Sequence, residues 1–352
     1  MLDVSIVVPC YNEEAVLPET ARRLGALLRR LVDRQTVAPR SCVYFVDDGS
    51  RDGTWTVIQS LAREHPFVRG IRLSRNRGHQ NALLAGLFTA EGDAVVTIDA
   101  DLQDDVDAIG AMLEAHVAGH DIVYGVRRRR DSDTYFKRCT ARAYYRLLRA
   151  MGVEVVPDHA DFRLMSRRAI EALREFREVN LFLRGIVPLL GFPATVVFYD
   201  RASRFAGESK YPLRRMLGFA IQGVTSFSAV PLRLITWLGL TIFAASFVVT
   251  LWALWERFVQ GSAVPGWAST VIPSYLLGGI QLLCIGIIGE YLAKIYIETK
   301  HRPRFHVEAV VRGGSGALRV VRGHASTADP RPLDDDRIPP SSVDLGVRVS
   351  GR

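Results

Sequence analysis

The chain has 352 residues, more than one ordinary domain needs, so one large domain with an appendage or two domains is expected. Hydrophobic residues at 48% and charged residues at 23% exclude a chain disordered throughout. Its 45 Lys and Arg against 37 Asp and Glu give a net charge of +8, which suits a partner of negative charge: nucleic acid, a phosphorylated ligand or an anionic membrane.

Short β-branched runs alternate with helical stretches through about Asp121. Val4 to Pro9, Val43 to Val46, Val68 to Leu73 and Ala94 to Ile98 are predicted strands, and Ile122 to Val126 is a fifth. Between the first two, Leu17, Ala21, Leu24, Leu28 and Leu31 share one helical face while Arg22, Arg23, Arg29 and Arg30 fall elsewhere. Further helices are expected over Thr54 to Glu64, Asn81 to Ala90 and Val106 to Ala118. Strand, helix, strand in series implies a mainly parallel sheet. Two acidic clusters, VDDGS at Val46 to Ser50 and DADLQD at Asp99 to Asp104, then fall at strand C-terminal ends, where open α/β sheets bind ligands. Carboxylates spaced this way either share a divalent cation such as Mg²⁺ or Mn²⁺ or serve solvated turns and helix caps. Their coincidence in one sheet favours the cation.

Four cysteines, Cys10, Cys42, Cys139 and Cys284, lack paired spacing and histidine partners, so neither a disulfide framework nor a zinc site is expected. The start MLDVSIVVPCYNEE is not that of a signal peptide. Further along, Leu234 to Trp255 carries no charge and Ala268 to Gly289 is a comparable stretch; about 20 such residues suffice to cross a bilayer. Two spanning helices are expected, with buried core helices as the alternative; Trp237, Trp252, Trp255 and Trp267 mark the ends. Basic residues flank the pair on both outer sides while only Arg257 lies between, so both chain ends are expected in the cytoplasm. Leu217 to Pro231 reads either as an interfacial helix or as a packed soluble one. After Val311 the composition turns to Gly, Ser, Pro and Asp, which predicts a disordered tail.

The motifs VVPCYNEE, FVDDGSRDGT, LSRNRGHQNALLAGL, TIDADLQDD, DFRLMSRRA and RFAGESKYPLRRM occur in the order of family 2 glycosyltransferases. The chain resembles the polyprenyl-phosphate group of that family, which contains dolichyl-phosphate mannose synthases and bactoprenol glucosyltransferases, from about Val4 to about Phe305. The resemblance implies a GT-A fold, a nucleotide diphosphate sugar as donor, a divalent metal (Mg²⁺ or Mn²⁺) and a membrane polyprenyl phosphate as acceptor. Pro9, Tyr11, Glu13, Val46 and Asp48 would cradle base and ribose, with Asp47 supporting the loop; a core aromatic is the alternative for Tyr11. Asp99 and Asp101 would hold the metal, and Ala100, Gln103 and Arg127 would line the donor site. Arg138, Arg163 and Arg201 would meet the acceptor phosphate, while Arg204 and Lys210 would act with Asp101 and Asp161 in catalysis. Asp161 is either a base, a positioning group or one half of a structural pair with Arg163. His79 reads as structural, and Arg77 stands where relatives often carry an aromatic residue.

An acceptor phosphate is already ionised near neutral pH, so the implied chemistry requires anions held together rather than a strong base. The organisation expected is a catalytic domain over 1–215, an interfacial helix over 216–231, spanning helices over 232–256 and 268–290 with an extracytoplasmic loop 257–267 between them, a cytoplasmic juxtamembrane segment 291–311, and a tail 312–352. That makes a multi-pass protein of the plasma (inner) membrane. Glucose from UDP-glucose is the expected transfer, because GEYLAKIY and the two-helix layout resemble the bactoprenol glucosyltransferase branch. GDP-mannose as donor, or a noncatalytic scaffold docking a membrane transporter such as a lipid-sugar flippase, is the alternative. Self-association is expected from the resemblance, and a nucleic-acid polymer is not an expected partner. A processive synthase would carry a Gln-any-any-Arg-Trp element, and a dinucleotide enzyme a glycine-rich turn after its first strand; VVPCYNEE has no glycine.

Overall fold

The computed structural model describes residues 1–128, 159–178, 183–200, 230–255, 266–313 and 319–321. The unbroken apolar runs form the middle of the sheet: every residue of β1 (Val4–Cys10) and β2 (Cys42–Asp47) is buried, as expected for parallel strands covered on both faces. Between them α1 (Leu17–Asp33) lays Leu17, Ala21, Leu24, Leu28 and Leu31 on the sheet. The alternation continues with α2 (Thr54–Glu64), β3 (Val68–Leu73), α3 (His79–Thr89), β4 (Ala94–Thr97), α4 (Ala108–Val117) and β5 (Ile122–Arg127). Then follow β6 (His159–Ser166), α5 (Arg167–Glu175), α6 (Leu183–Leu189), β7 (Ala194–Tyr199), α7 (Val230–Trp255), α8 (Trp267–Thr299), β8 (Val307–Arg312) and β9 (Arg319–Val321).

The strand order is β7-β5-β6-β4-β1-β2-β3-β8-β9. Strands β4, β1, β2 and β3 are mutually parallel, and β5 pairs parallel with β7. β6 lies antiparallel between β4 and β5, and β8 antiparallel between β3 and β9. All strands except β6 and β8 therefore run the same way. α1, α2 and α4 cover one face of the sheet and α3, α5 and α6 the other. α3 lies hard against β1 and β2, because a Cβ at Gly86 would sit 2.2 Å from Val7 Cγ1 and 3.0 Å from Val46 Cγ2.

The two long helices fall where the sequence predicts apolar spans. Among the described residues only Leu277–Thr299 of α8 is long and apolar enough to cross a membrane, with a mean hydropathy of 1.6; the apolar part found in α7, Val230–Ile242, is shorter. One candidate span rather than the expected two is thus present among those residues. Both helices expose large apolar side chains, including Leu234, Trp237, Phe247, Trp252, Leu282, Ile285 and Ile295. Residues 216–229 of the expected interfacial helix, 256 of the first expected span, 257–265 of the loop, and 314–318 and 322–352 of the tail lie outside the described residues.

The sequence reading contains no strand after α8, yet β8 and β9 extend the sheet there. Ser74 N donates to His306 O at 3.0 Å, Arg304 donates to Phe176 O, and Phe305, Val307 and Val310 enter the core beside Ile71 and Leu73. VEAVVR is too short and too charged at its ends to announce itself as a strand; pairing with the edge of β3 decides it.

Gly86→Ala is expected to overpack the contact of α3 with β1 and lower stability by about 1–3 kcal/mol. Phe305→Ala should cost about 3–5 kcal/mol by opening a cavity where the chain rejoins the sheet. Thermal unfolding of the purified protein measures both.

Candidate active site

The first two strands end in loops that lock onto each other. Asn12, at φ 57°, donates its N–H to Ser50 Oγ at 3.0 Å and accepts from Arg51 N at 2.9 Å, and Glu13 N donates to Thr54 Oγ1 at 2.9 Å. Pro9 and Val46 are the last paired residues but one of β1 and β2 and sit opposite each other in register. Both aspartates of VDDGS are buried and face inward. Asp47 accepts from Ser50 N at 2.9 Å and has Arg72 Nε at 3.7 Å; Asp48 accepts from Arg77 N at 2.7 Å and Gly78 N at 2.8 Å. Burial pushes both carboxyl groups up from the usual range. Asp48 thereby fixes the turn that starts α3, where Gly78 adopts φ 87°, and Gly49, at φ 65°, lets that turn approach: a Cβ there would meet the Arg75–Asn76 backbone at 2.5 Å. Tyr11 is 42% exposed, so it is not the core aromatic that the sequence left open.

The DADLQD segment follows β4. Asp101 Oδ1 accepts from Gln103 N at 3.2 Å, and Leu102 between them takes φ 57°. Ala100 is buried, with its carbonyl accepting from Thr20 Oγ1 at 3.1 Å. Asp104, buried, accepts from Arg127 Nη2 at 3.1 Å and from the Tyr199 hydroxyl, and Arg127 Nε also donates to that hydroxyl at 3.1 Å. Arg127 is thus held at the end of β5 with part of its side chain still exposed.

The antiparallel register brings the last member in. Thr97 of β4 pairs with Arg163 of β6, so two residues further along β4 and two residues back along β6 stand Asp99 and Asp161. His79, the first residue of α3, bridges them, with Nε2 3.0 Å from Asp99 Oδ1 and Nδ1 3.8 Å from Asp161 Oδ2. Asp161 is buried among cations. Arg163 Nη2 donates to its Oδ1 at 2.7 Å, and Arg184 of α6 approaches with Nε at 3.3 Å and Nη2 at 3.4 Å. Burial would raise the Asp161 carboxyl, but the charges of Arg163, Arg184 and His79 hold it down at about 2. Burial also acts against charge on His79; its hydrogen bond to Asp99 and the nearby carboxylates outweigh this and raise it above the ordinary histidine value.

The structure places two sequence-predicted residues beside Asp161. Arg163, expected at the acceptor phosphate, has only 2% of its side chain exposed and lies behind Asp161, donating to it and, at 3.5 Å, to Leu183 O. His79, read as structural, joins the two carboxylates. Arg184 was not singled out from the sequence at all, since FLRG in an apolar stretch resembles any helix start. Tyr199 and Asp104 were equally hidden, although the third Asp of DADLQD was a visible acid. Arg138, Arg201, Arg204 and Lys210 lie outside the described residues.

Among the described residues no group of three or more His, Cys, Asp or Glu side chains forms a ready cage for a metal ion. The donors at the end of β4 are two carboxylates, Asp99 and Asp101. A hard cation such as Mg²⁺ or Mn²⁺, which keeps several waters and takes its other ligands from substrate phosphates, fits that set.

Residues 5–174 match the family model of glycosyl transferase family 2. Over 307 residues the chain is 47% identical to the "Uncharacterized glycosyltransferase YkoT" of Bacillus subtilis (strain 168), covering 87% of this chain and 91% of that protein. It is 39% identical over 311 residues to the bactoprenol glucosyl transferase of Shigella phage SfV, covering 87% of this chain and 98% of the relative. A solved structure, mannosyl-3-phosphoglycerate synthase from Rubrobacter xylanophilus, aligns over 76% of this chain and 78% of its own at 20% identity and a TM-score of 0.42. With a mainly parallel sheet and acidic loops at its carboxyl edge, the chain belongs to glycosyl transferase family 2 and is a glycosyltransferase.

Proposed function

We propose that the protein transfers one hexose, glucose from UDP-glucose, to a polyprenyl phosphate at the cytoplasmic face of the plasma membrane, with inversion at the anomeric carbon. The observation that carries this reading is Asp161: a buried carboxylate held at about 2 and ringed by Arg163, Arg184 and His79 is a poor proton acceptor. It suits an acceptor oxygen that needs no proton removed. In the reaction that oxygen attacks C1 of the sugar, the bond from C1 to the diphosphate breaks, and UDP leaves with the electron pair. The kinship with bactoprenol glucosyl transferases supports the lipid acceptor.

In this reading Pro9, Tyr11, Glu13 and Val46 line the nucleotide pocket, while Asp47 and Asp48 hold its loops. Asp99 and Asp101 would hold Mg²⁺ or Mn²⁺ against the donor diphosphate, with Ala100 and Gln103 beside it. When bound, the cation stabilises charge developing on the leaving group. Arg127, kept in place by Asp104 and Tyr199, would complement that charge together with Arg204 and Lys210, while Arg138 and Arg201 would meet the acceptor phosphate. Exposed apolar side chains on α7 and α8 support a membrane setting for both helices, and the basic residues flanking the pair support cytoplasmic chain ends.

The direct test incubates the purified protein with UDP-glucose, GDP-mannose and other nucleotide sugars in the presence of undecaprenyl phosphate and identifies the lipid by mass. A hexosyl phosphoryl lipid from UDP-glucose is expected; no lipid-linked product from any donor would overturn the reading. Asp101→Ala should reduce turnover by at least about a hundredfold while leaving thermal unfolding unchanged. Asp161→Asn should keep much more activity than Asp161→Ala. Because the Asp161 carboxyl is lowered, its charge and the stability it contributes persist above the unfolded value and are lost only as pH falls toward about 2. The pH–rate profile between pH 5 and 8 should therefore be unaltered in shape by Asp161→Asn; an acid limb abolished by that change would restore the base assignment. A cysteine introduced by Ser262→Cys should react with an impermeant reagent added to intact cells, and labelling only after rupture would reverse the topology.

A further inference from the structure

We propose that Arg184, together with the backbone grip on its neighbour Leu183, forms the seat for the acceptor's phosphate group. This rests on the polyprenyl phosphate reading above and assigns to it a residue that lies outside the sequence motifs.

The three charged groups around Asp161 are layered. Arg163 is sealed in the sheet and makes the short bond, 2.7 Å, whereas Arg184 approaches at 3.3 and 3.4 Å and leaves 41% of its side chain exposed. One carboxylate between two guanidiniums leaves one positive charge in excess, and it lies on the exposed member. A guanidinium carries five N–H donors, and only two N–H-bearing nitrogens of Arg184 are turned to Asp161, at lengths that leave them easily shared. The chemistry that completes such a group is a phosphate oxygen pair, which matches the guanidinium fork.

The position of Arg184 is built rather than incidental. Leu183, immediately before it, is buried and held at both backbone groups by side chains from other elements. Its N–H donates to Gln80 Oε1 at 2.8 Å, and its carbonyl accepts from Arg163 at 3.5 Å. Gln80 follows His79, the residue that touches Asp99 at 3.0 Å and Asp161 at 3.8 Å. The first turn of α3 thus carries two adjacent side chains, one tied to the donor-side carboxylate and one to the backbone beside Arg184. An anion on Arg184 would lie across His79 from Asp99, on the side away from the donor diphosphate. That separation lets two anions share one cleft with fixed positive charge on the acceptor side.

The test uses the full chain in vesicles. Arg184→Ala, Arg184→Lys and Gln80→Ala are compared with the unaltered protein for KM of undecaprenyl phosphate, KM of UDP-glucose, and thermal unfolding. Arg184→Ala is expected to raise the acceptor KM by about tenfold to a hundredfold, the worth of a charge-assisted hydrogen-bonded pair. Arg184→Lys should recover part of this, Gln80→Ala should raise the acceptor KM by a few-fold, and the donor KM should stay within about twofold. Unchanged acceptor KM in a folded Arg184→Ala protein would overturn the proposal in favour of a structural ion pair, and a selective rise in donor KM would overturn it in favour of the diphosphate. A parallel arm measures binding of undecaprenyl phosphate to the detergent-solubilised protein, with phosphatidylglycerol as the anionic-lipid control. Selective loss of undecaprenyl phosphate binding in Arg184→Ala supports a phosphate seat, and equal loss with both lipids overturns it in favour of a general anionic-lipid contact. Because binding needs no turnover, this arm decides Arg184 even if the unaltered protein forms no lipid-linked sugar, the outcome that would overturn the proposed function itself.

Discussion

Arg163 lies within the sheet with 2% of its side chain exposed, and a charge in that setting persists only with an opposite charge at hydrogen-bond distance. Asp161 provides it from the same strand, two residues earlier and on the same face. The pair can form where it does because β6 runs against its neighbours: its beginning, rather than its end, lies at the edge where the parallel strands terminate. Had β6 been parallel, Asp161 would stand at the far edge of the sheet from Asp99. One reversed strand therefore delivers the second carboxylate to the acidic loop of β4, and α3 and α6 supply the cations that meet it there.

The loops around the cleft are stabilised by one another more than by the strands they follow. The β1 loop is tied to the β2 loop through Asn12 and Glu13, and the β2 loop to the start of α3 through Asp48. The start of α3 in turn reaches the ends of β4 and β6 through His79 and the start of α6 through Gln80. Asp104, Arg127 and Tyr199 close the opposite side. Buried polar groups of this kind are costly unless paired, so the chain of hydrogen bonds gives the irregular segments a definite shape. The proposed donor and acceptor positions are thereby parts of one connected framework.

A second coupling joins that framework to the long apolar helix. α8 ends at Thr299, and within a few residues Arg304 donates to the carbonyl of Phe176 at the end of α5 while Phe305 and Val307 enter the core. Glu178, in the same stretch as Phe176, is raised by burial and by the charge of Glu298, near the end of α8. The chain leaving the apolar helix is thus fastened to the segment that leads toward α6 and Arg184. β8 and β9 also cover the edge of β3, an edge that would otherwise offer unpaired backbone groups.

Period and spacing in the sequence determined the five early strands, the helices between them, the placement of both acidic clusters at the carboxyl edge, and the apolar stretches of α7 and α8. These are local properties: burial on both faces requires continuous apolar strands, and helical faces repeat every three to four residues. Ordered motifs added the family. Only the tertiary structure decided the rest, because it depends on pairing between distant segments. The reversed register of β6 brought Asp161 to Asp99 and hid Arg163, which the sequence had turned toward the acceptor. His79, read from its motif as structural, and Arg184, an arginine without local signature, became its neighbours through the packing of α3 and α6. VEAVVR became a strand because β3 had an open edge to pair with.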